Sequence, residues 1–377
     1  MENLQICQRC VMDTTDPEIK FDERGICNHC KTAEQALNRP PLSLSPMEKE
    51  AELLSIIHNI KTESSSKKYD CIIGLSGGVD STYVAYKVVE LGLRPLAIHF
   101  DNTWNSTIAE ANNDNICSKL HIDLFRYKVE WNEFRNLELA FLKASTPDLE
   151  ITSDHGIVSL LNQQAAKNNL SFIISGLNSS TESILPPSWS RGHYDWKYIK
   201  SVNKTYSRCT LKAFPHTSFT STIFYRKIRK IKWLHILNYL NYNKSEAKEL
   251  ITKELGWQDY GGKHYESIIT KFWQGYILPV KFGFDKRKAH LSSLIISGQI
   301  TREQALEELK HPAYPPEELE NDIRFFCSKM EISLSEFRKI MKSPPKTFWD
   351  YSSYEKTWYY VFLNYLWKLI KRPKGAP

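Results

Sequence analysis

The amino-acid sequence predicts an α/β protein built on a doubly wound parallel sheet, with a small metal-binding module before the sheet and a mostly helical region after it. Three features predict this fold class. From residue 69, short apolar runs alternate with segments long enough for helices, which is typical of βαβ units. A glycine-containing loop joins the first run to a helix, and two cysteine pairs stand near the N-terminus. The sequence predicts four segments: the cysteine module at residues 1–40, a helix with its linker at residues 41–68, the sheet domain at residues 69–210 and the helical region at residues 211–377.

Composition indicates an ordinary folded protein. The chain has 377 residues, of which 41% are hydrophobic and 25% charged, enough to bury the cores of two or three domains. The first residues have neither the basic start nor the apolar stretch of a secretory signal. A run of about eighteen uncharged apolar residues, which a membrane span needs, is also missing from the sequence. We therefore expect a cytoplasmic protein with at most peripheral membrane contact.

The first segment contains four of the eight cysteines, in two pairs with the spacing C-x2-C-x16-C-x2-C. Two such pairs supply four thiolates for a tetrahedral zinc ion, and four thiolates leave no open position for a metal-bound water. Disulfides are not expected in a reducing cytoplasm. We therefore predict a structural Zn²⁺ site formed by Cys7, Cys10, Cys27 and Cys30.

Helix-capping signals mark several helix starts. The sequence S-P-M-E at residues 45–48 has the pattern of a capping box with proline at the first helical position. The helix that follows should stop near the serine- and lysine-rich stretch 62–68, which marks the boundary before the sheet domain. Similar signals at residues 301–304 and 333–336 predict two helices in the last segment.

Four apolar runs in the third segment predict strands of a parallel sheet: YDCIIGLS, RPLAIHF, HIDLFRY and LSFIISG. Ligands of such sheets bind beyond the carboxyl ends of the strands. The loops after the first, second and fourth runs are therefore the candidate ligand-binding loops, at residues 76–81, 101–104 and 176–182.

The first of these loops has the composition of a phosphate-binding loop. Ser76, Gly77 and Gly78 let the backbone approach an anion closely, and Ser81 lies where the following helix exposes unpaired N–H groups. Asp80 is a candidate Mg²⁺ ligand against the same phosphate. The loop lacks the G-x-x-x-x-G-K-[ST] spacing and the lysine of a Walker A sequence, so γ-phosphoryl transfer is not the favoured chemistry.

Charge is unevenly distributed along the chain. The net charge is +7, but residues 201–377 carry 30 Lys and Arg against 17 Asp and Glu, whereas residues 1–200 carry 20 against 26. The helical region is therefore the half that attracts an anionic substrate. Its densest basic stretch, residues 226–233, suits a nucleotide-sugar, RNA or an anionic membrane surface, or is a solvated helix face.

A second basic stretch follows Asp285. Lys286 and Arg287 lie four and three residues before His290, spacings that place each of them on one helical face with that histidine. Lys286 and Arg287 are therefore candidates for binding a sugar-nucleotide diphosphate or the tail of ATP. The alternative is a helix start with Asp285 as its cap and solvated basic side chains.

The sequence S-G-G-V-D-S at residues 76–81 resembles the PP-loop of the N-type ATP pyrophosphatases, which include GMP synthetase, asparagine synthetase and tRNA thiolation enzymes. In that family the loop grips pyrophosphate while a substrate oxygen attacks the α-phosphorus of ATP. Residues 99–104 and 175–180 are more loosely similar to two further nucleotide-binding segments. The resemblance implies an ATP site formed by Ser76, Gly77, Gly78, Asp80, Ser81, Asp101 and Gly176. Asp80, as the Mg²⁺ ligand, and Ser76 are then the first catalytic candidates, beside Lys286 and Arg287.

With its two cysteine pairs, its PP-loop and residues 261–309, nearly the full length of the chain resembles the N-acetyl sugar amidotransferases of bacterial surface-polysaccharide synthesis. The resemblance implies an enzyme that adenylates the acetamido oxygen of an N-acetyl sugar, often nucleotide-linked, and lets ammonia replace it. AMP and PPi would be released, and the acetamidino sugar would enter LPS, as O-antigen, or a related glycan. The implied partners are a separate glutaminase subunit and a synthase-like homologue, and the implied cofactors are ATP and Mg²⁺.

Two other functions stay open. Some tRNA thiolation enzymes also join cysteine pairs to a PP-loop, but they typically need a further C-x-x-C pair, and this chain has none after residue 30. A non-catalytic ATP-binding scaffold is the second alternative, although the intact loop 76–81 counts against it. Nucleic acid is not the expected partner. Residues 191–198 form either a substrate loop or ordinary packing, and residues 358–374 either a core helix or a docking helix.

Overall fold

The computed structural model describes residues 4–261, 266–360 and 362. Most of the predicted helix 358–374 therefore lies outside the described residues. The strands are β1 (Cys71–Gly74), β2 (Pro95–Asp101), β3 (Asp123–Lys128), β4 (Phe172–Ser175) and β5 (Lys232–His235).

Along the chain, helices precede, separate and follow these strands. The α-helices up to β5 are α1 (Asn28–Leu37), α2 (Pro46–Glu63), α3 (Val79–Glu90), α4 (Thr107–Leu120), α5 (Trp131–Ala144), α6 (Ile151–Lys167), α7 (Ser179–Glu182), α8 (Trp196–Tyr206) and α9 (Phe219–Ile223). Those after β5 are α10 (Lys244–Leu255), α11 (Ile268–Phe272), α12 (Arg287–Ile296), α13 (Arg302–Glu308), α14 (Pro316–Met330) and α15 (Leu334–Lys342). π-Helical turns cover Phe224–Ile228 and Trp273–Phe282, and 3-10 turns cover Ile236–Asn238 and Phe348–Asp350. No helix in the described part of the chain is both long and apolar enough to cross a membrane.

The sheet is parallel throughout, with the strand order β3-β2-β1-β4-β5. At its centre, Ile73 of β1 pairs with Ala97 of β2 on one side and with Ile174 of β4 on the other. The chain first builds outward from β1 to β3 and then restarts on the other side of β1, so the sheet is doubly wound and the predicted fold class is confirmed. The point of reversal lies between β1 and β4, where ligands of such sheets bind.

One strand was not predicted from the sequence. β5 begins inside the basic stretch 226–233, which was interpreted as an anion-binding surface or a solvated helix face, and it pairs with β4 through Trp233 and Ile173. Leu234 is buried, whereas Lys232, two positions earlier on the same face of the strand, is exposed at the start of β5. The parallel sheet therefore extends past residue 210, where the predicted sheet domain ends.

Apolar side chains cover both faces of the sheet. Ile72 belongs to a buried cluster that includes Phe134 of α5, whereas its neighbour Ile73 belongs to a second cluster with Val84 of α3 and Ile251 of α10. Successive side chains of a strand point to opposite faces, so β1 lies between two cores. Each fully buried aliphatic side chain of this kind contributes about 1.5–3 kcal/mol, which fixes the central strand and the loop that follows it.

The predicted helix starts are confirmed. Ser45 Oγ accepts from Glu48 N, and the Glu48 carboxylate accepts from Ser45 N at 2.8 Å, which completes the capping box of α2. Thr301 and Gln304 form a second box at α13. Ser333 caps α15. Such caps each stabilise a helix by about 1 kcal/mol.

The cysteine module packs against the helical region at the other end of the chain. The Arg302 guanidinium of α13 donates to Cys7 O and Cys10 O, both at 3.0 Å. Ser292 Oγ of α12 accepts from Val11 N at 3.2 Å. These contacts connect the module to the helix that follows Lys286.

Candidate active site

The predicted phosphate-binding loop connects β1 to α3 and leaves the start of the helix open. Ser76 N donates to Ser81 Oγ at 3.2 Å, and Gly78 N donates to Ser76 Oγ at 3.3 Å, so both hydroxyls line the loop. The N-cap residue of α3 is Gly78, which has no side chain to cap this 12-residue helix. Its first N–H groups and the helix dipole are therefore available to an anion.

Two glycines allow the loops of the site to approach each other. Gly77 has φ +83°, and a Cβ on it would lie 2.5 Å from Ala109 O of α4. A Cβ on Gly176 would lie 3.3 Å from the carbonyl carbon of Asp80. The loop after β4 thus packs directly on the loop after β1, at the reversal point of the sheet.

Asp80 and Asp101 have different surroundings. Tyr242 OH donates to Asp80 Oδ1, and burial and the Asp80 charge raise the pKa of Tyr242 above its ordinary value, so the phenol remains a donor. Asp101 accepts from Thr103 N at 2.8 Å and shapes the turn after β2. Within the described residues, no hydrogen bond joins Asp101 to the loop 76–81. Mg²⁺ usually takes one or two protein carboxylates and completes its sphere with phosphate oxygens and water, so Asp80 alone fits a metal that arrives with a nucleotide.

Aromatic side chains from a distant part of the sequence hold the loop. Trp257 Nε1 donates to Gly77 O at 2.8 Å across 180 positions of sequence. Tyr260 OH lies 3.4 Å from the position that a Cβ on Gly78 would take. Sequence reasoning missed both residues, because an aromatic pair after α10 carries no signal of contact with β1.

The four predicted cysteine ligands converge, and all four are buried, with their sulfurs within 4.8 Å of one another. The sulfur–sulfur distances are 3.6 Å for Cys27 and Cys30, 3.7 Å for Cys10 and Cys27, and 3.8 Å for Cys7 and Cys30. A disulfide needs about 2.05 Å, whereas Zn–S bonds of about 2.3 Å in a tetrahedron place the sulfurs about 3.8 Å apart. Backbone N–H groups also donate to two of the sulfurs at 3.3–3.4 Å. The donor set fits a tetrahedral metal such as zinc.

Lys286 and Arg287 point to different partners. Lys286 Nζ lies 2.6 Å from Glu150 Oε2, just before α6. Arg287 turns back to Asp285 with contacts of 2.7–3.2 Å, and Asp285 Oδ1 accepts from Arg287 N at 2.9 Å. The N-cap residue of α12 is Lys286, so the alternative with Asp285 as the cap holds only for the hydrogen bond that Asp285 accepts from Arg287 N. Lys286 instead pairs with Glu150, the residue before α6.

His193, from the stretch 191–198, lies beside this ion pair. Its Nδ1 is 2.8 Å from Asp154 Oδ2, and its Nε2 is 3.0 Å from Asp148 Oδ2. Ser190 Oγ donates to Asp148 Oδ2 at 2.5 Å and lies 2.6 Å from His193 Nε2. Burial lowers the pKa of His193, but the two carboxylates outweigh burial and hold it well above its ordinary value. The imidazole therefore carries both protons.

The start of α6 extends over the carboxyl edge of the sheet. Leu161 packs on Gly74 at the end of β1, where a Cβ would lie 3.6 Å from Leu161 Cδ1. Asp154 precedes Leu161 by seven residues, so it shares that helix face about 10 Å further along the axis. Because α6 leads directly into β4, its first turns lie at the same edge as the phosphate-binding loop. Ser153 Oγ is accordingly 3.1 Å from Asn102 Nδ2, just after β2.

The sequence contained one signal for this group of residues. Asp148, Glu150 and Asp154 place three carboxylates within seven positions, next to a helix start. Sequence reasoning missed them, because their partners Ser190, His193 and Lys286 lie 42, 39 and 136 positions away along the chain.

The C-terminal part of the chain is similar to a described protein family. Residues 266–370 match the family described as "LPS biosynthesis protein WbpG-like, C-terminal domain". An uncharacterised protein from Methanocaldococcus jannaschii is 24% identical over 327 residues, which span 82% of this chain and 95% of that protein.

Two solved structures match this chain with low sequence identity and low TM-scores. An NMN synthetase from Francisella tularensis has 18% identity and a TM-score of 0.28, over 56% of this chain and 94% of that one. An NH3-dependent NAD synthetase from Campylobacter jejuni, in complex with nitrate, has 16% identity and a TM-score of 0.30, over 62% and 96%. Residues 266–370 are therefore similar to the C-terminal domain of the WbpG-like LPS biosynthesis proteins, in agreement with the surface-polysaccharide resemblance of the sequence.

Proposed function

We propose that this protein is an ATP-dependent amidotransferase that converts the acetamido group of an N-acetyl sugar, often nucleotide-linked, into an acetamidino group for LPS O-antigen or a related glycan. The observation that carries the proposal is the open N-terminus of α3 behind the loop 76–81, at the reversal point of the sheet. The WbpG-like domain at residues 266–370 supports a role in LPS synthesis. ATP is consumed in the proposed reaction, and AMP and PPi are released.

An amide oxygen is a poor leaving group, which is the main chemical difficulty of the reaction. Adenylation overcomes it, because the oxygen then leaves as part of AMP. The amide oxygen attacks the α-phosphorus of ATP, and PPi leaves. The hydroxyls of Ser76 and Ser81 and the first N–H groups of α3 hold the leaving pyrophosphate and offset its charge. Asp80 would hold Mg²⁺ together with the phosphates, and the metal would supply further charge neutralisation.

The cysteine cluster is proposed to bind zinc as a structural ion. Four thiolates complete a tetrahedron, so the site has no position for a substrate or an activated water. Cys7 and Cys10 accept hydrogen bonds from Arg302 through their carbonyl oxygens. The metal would therefore stabilise the packing of the module on α12 and α13, next to Lys286.

We further propose that ammonia comes from a separate glutaminase subunit, with a synthase-like homologue beside it. A glutaminase in this chain would need a reactive thiolate. Burial instead raises the pKa of all four cysteines outside the metal cluster, in the case of Cys117 to about 11. Their thiols therefore stay protonated and are poor nucleophiles at neutral pH.

The proposal is tested with purified protein, ATP, Mg²⁺, ammonium and a panel of UDP-linked acetamido sugars. The expected result is AMP release that depends on one sugar, together with the mass change that replacement of O by NH produces in that sugar. Asp80→Asn should abolish both signals, and Asp123→Asn, at the start of β3 on the opposite edge of the sheet, is the matched control. Neither AMP nor a changed sugar with any member of the panel would contradict the proposal, and iron–sulfur absorbance would favour thiolation.

A further inference from the structure

Ser190, His193 and Asp154 resemble a hydrolase triad in their distances alone. Ser190 Oγ lies 2.6 Å from His193 Nε2, and Asp154 Oδ2 lies 2.8 Å from His193 Nδ1. In a nucleophilic triad, the imidazole must accept the serine proton at Nε2. Here Asp148 Oδ2 lies 3.0 Å from that nitrogen and also accepts from Ser190 Oγ. The second carboxylate therefore keeps a proton on Nε2, and Ser190 is not activated as a nucleophile.

Asp154 is the carboxylate of this cluster that a bound molecule can reach. Its side chain is 47% exposed, whereas that of Asp148 is 5% exposed. The Glu150 carboxylate is occupied by Lys286 at 2.6 Å and by Gln274 Nε2 at 2.9 Å. Asp154 also lies in the first turn of α6, at the carboxyl edge of the sheet from which the phosphate-binding loop begins.

The charges of the cluster favour a cation at this position. Three carboxylates, those of Asp148, Glu150 and Asp154, face the Lys286 ammonium and the His193 imidazolium. Because His193 is shared by Asp148 and Asp154, these five groups together carry one net negative charge. An opposite charge within about 4–6 Å stabilises a positively charged group, so the cluster suits a nitrogen that becomes cationic during a reaction.

We propose that Asp154, positioned by His193, accepts the proton that ammonia loses when it attacks the adenylated acetamido carbon. This inference rests on the proposed function. The lone pair of ammonia forms the C–N bond to the protonated imidate carbon, and one N–H proton of the new ammonium group passes to the Asp154 carboxylate. The C–O bond to AMP then breaks with its electron pair on the phosphate oxygen. The product amidinium keeps the positive charge, and Asp154 releases its proton to solvent.

The experiment separates adenylation from ammonia attack in the full-length protein. Adenylation is followed as sugar-dependent exchange of labelled PPi into ATP without ammonium, and the complete reaction as acetamidino sugar formed with ammonium. Asp154→Asn should keep the exchange rate within about 3-fold of wild type and lower the complete reaction about 10²–10⁴-fold, the usual contribution of a general base. Asp154→Glu, which restores a carboxylate, should recover part of the loss. Asp123→Asn should change neither rate.

His193 is tested as a positioning residue. His193→Gln keeps an N–H donor near Asp154 but removes the imidazolium, so the complete reaction should fall while PPi exchange is retained. Thermal unfolding of each variant is measured alongside, and Asp154→Glu provides the test if Asp154→Asn does not fold.

The outcomes distinguish this inference from the proposed function. If wild-type protein shows neither PPi exchange nor AMP release with any sugar, the proposed function itself fails. If wild-type protein exchanges PPi and folded Asp154→Asn keeps both rates, or loses both in parallel, only the role of Asp154 is overturned.

Discussion

Gly77 adopts a backbone conformation that L residues with side chains rarely adopt. Its φ is +83°, and a Cβ would lie 2.5 Å from Ala109 O. We expect Gly77→Ala to lower the free energy of unfolding by about 1–3 kcal/mol, measured by urea denaturation, because it combines backbone strain with a steric clash. Gly283→Ala is the matched control, since Gly283 has φ +75° with nothing within 4 Å of its Cβ position. Equal losses of unfolding free energy in the two variants would contradict a contribution from the clash with Ala109 O.

Glu138 gives a pH dependence with a defined sign. Burial raises the pKa of Glu138 to about 8, against the opposing hydrogen bond that Trp104 Nε1 donates to it at 2.8 Å. Between the unfolded pKa of about 4.3 and the folded value, the folded protein binds the extra proton. Its stability should therefore fall as pH rises through this window, by up to a few kcal/mol. Glu138→Gln, measured by urea denaturation at pH 5 and pH 8 in parallel with wild type, should remove this part of the dependence, and an unchanged pH profile would contradict the assignment.

At the scale of single residues, the sequence predicted the role of some site residues and missed the contacts of others. The phosphate-binding residues lie within the six positions 76–81, so a local motif was sufficient. Lys286 and Arg287 were predicted as a pair, but they have different partners: Lys286 pairs with Glu150, just before α6, and Arg287 pairs with Asp285. Asp154 and His193 come from separate segments, and only the folded chain shows that they are in contact.

At the scale of elements, helix starts and central strands were predictable because their signals are local. The capping box of α2 is a four-residue pattern, and β1 is a continuous apolar run. β5 was missed because its exposed first residue, Lys232, belongs to a basic stretch that is typical of a helix face or an anion-binding surface. Its pairing with β4 depends on a tertiary contact that the local pattern does not contain.

The cysteine module gives a prediction at the same scale. Cys10→Ser should lose the one bound metal ion per chain and lower the melting temperature, because the thiolates stabilise the module only when they share a metal. Metal analysis and thermal unfolding measure the two effects, and Cys209→Ser, at a half-buried single cysteine, should change neither. Full metal content in Cys10→Ser would contradict the assignment.

At the scale of the whole molecule, one edge of the sheet brings together parts of the chain with different chemistry. The loop after β1 offers N–H groups and hydroxyls for phosphate, and the loop after β4 packs against it. The first turns of α6 add carboxylates, and the helical region adds Lys286. This arrangement places groups for holding pyrophosphate and groups for accepting a proton at the same edge, as a two-step replacement of an amide oxygen requires.

The central claim is that the acetamido oxygen leaves on AMP. The most direct test uses an accepted sugar labelled with oxygen-18 in its acetamido group, together with ATP, Mg²⁺ and ammonium, followed by mass spectrometry of AMP and PPi. The account predicts that the label appears in the phosphate of AMP and is absent from PPi. Label in PPi or inorganic phosphate, or an acetamidino sugar formed with unlabelled AMP, would contradict it.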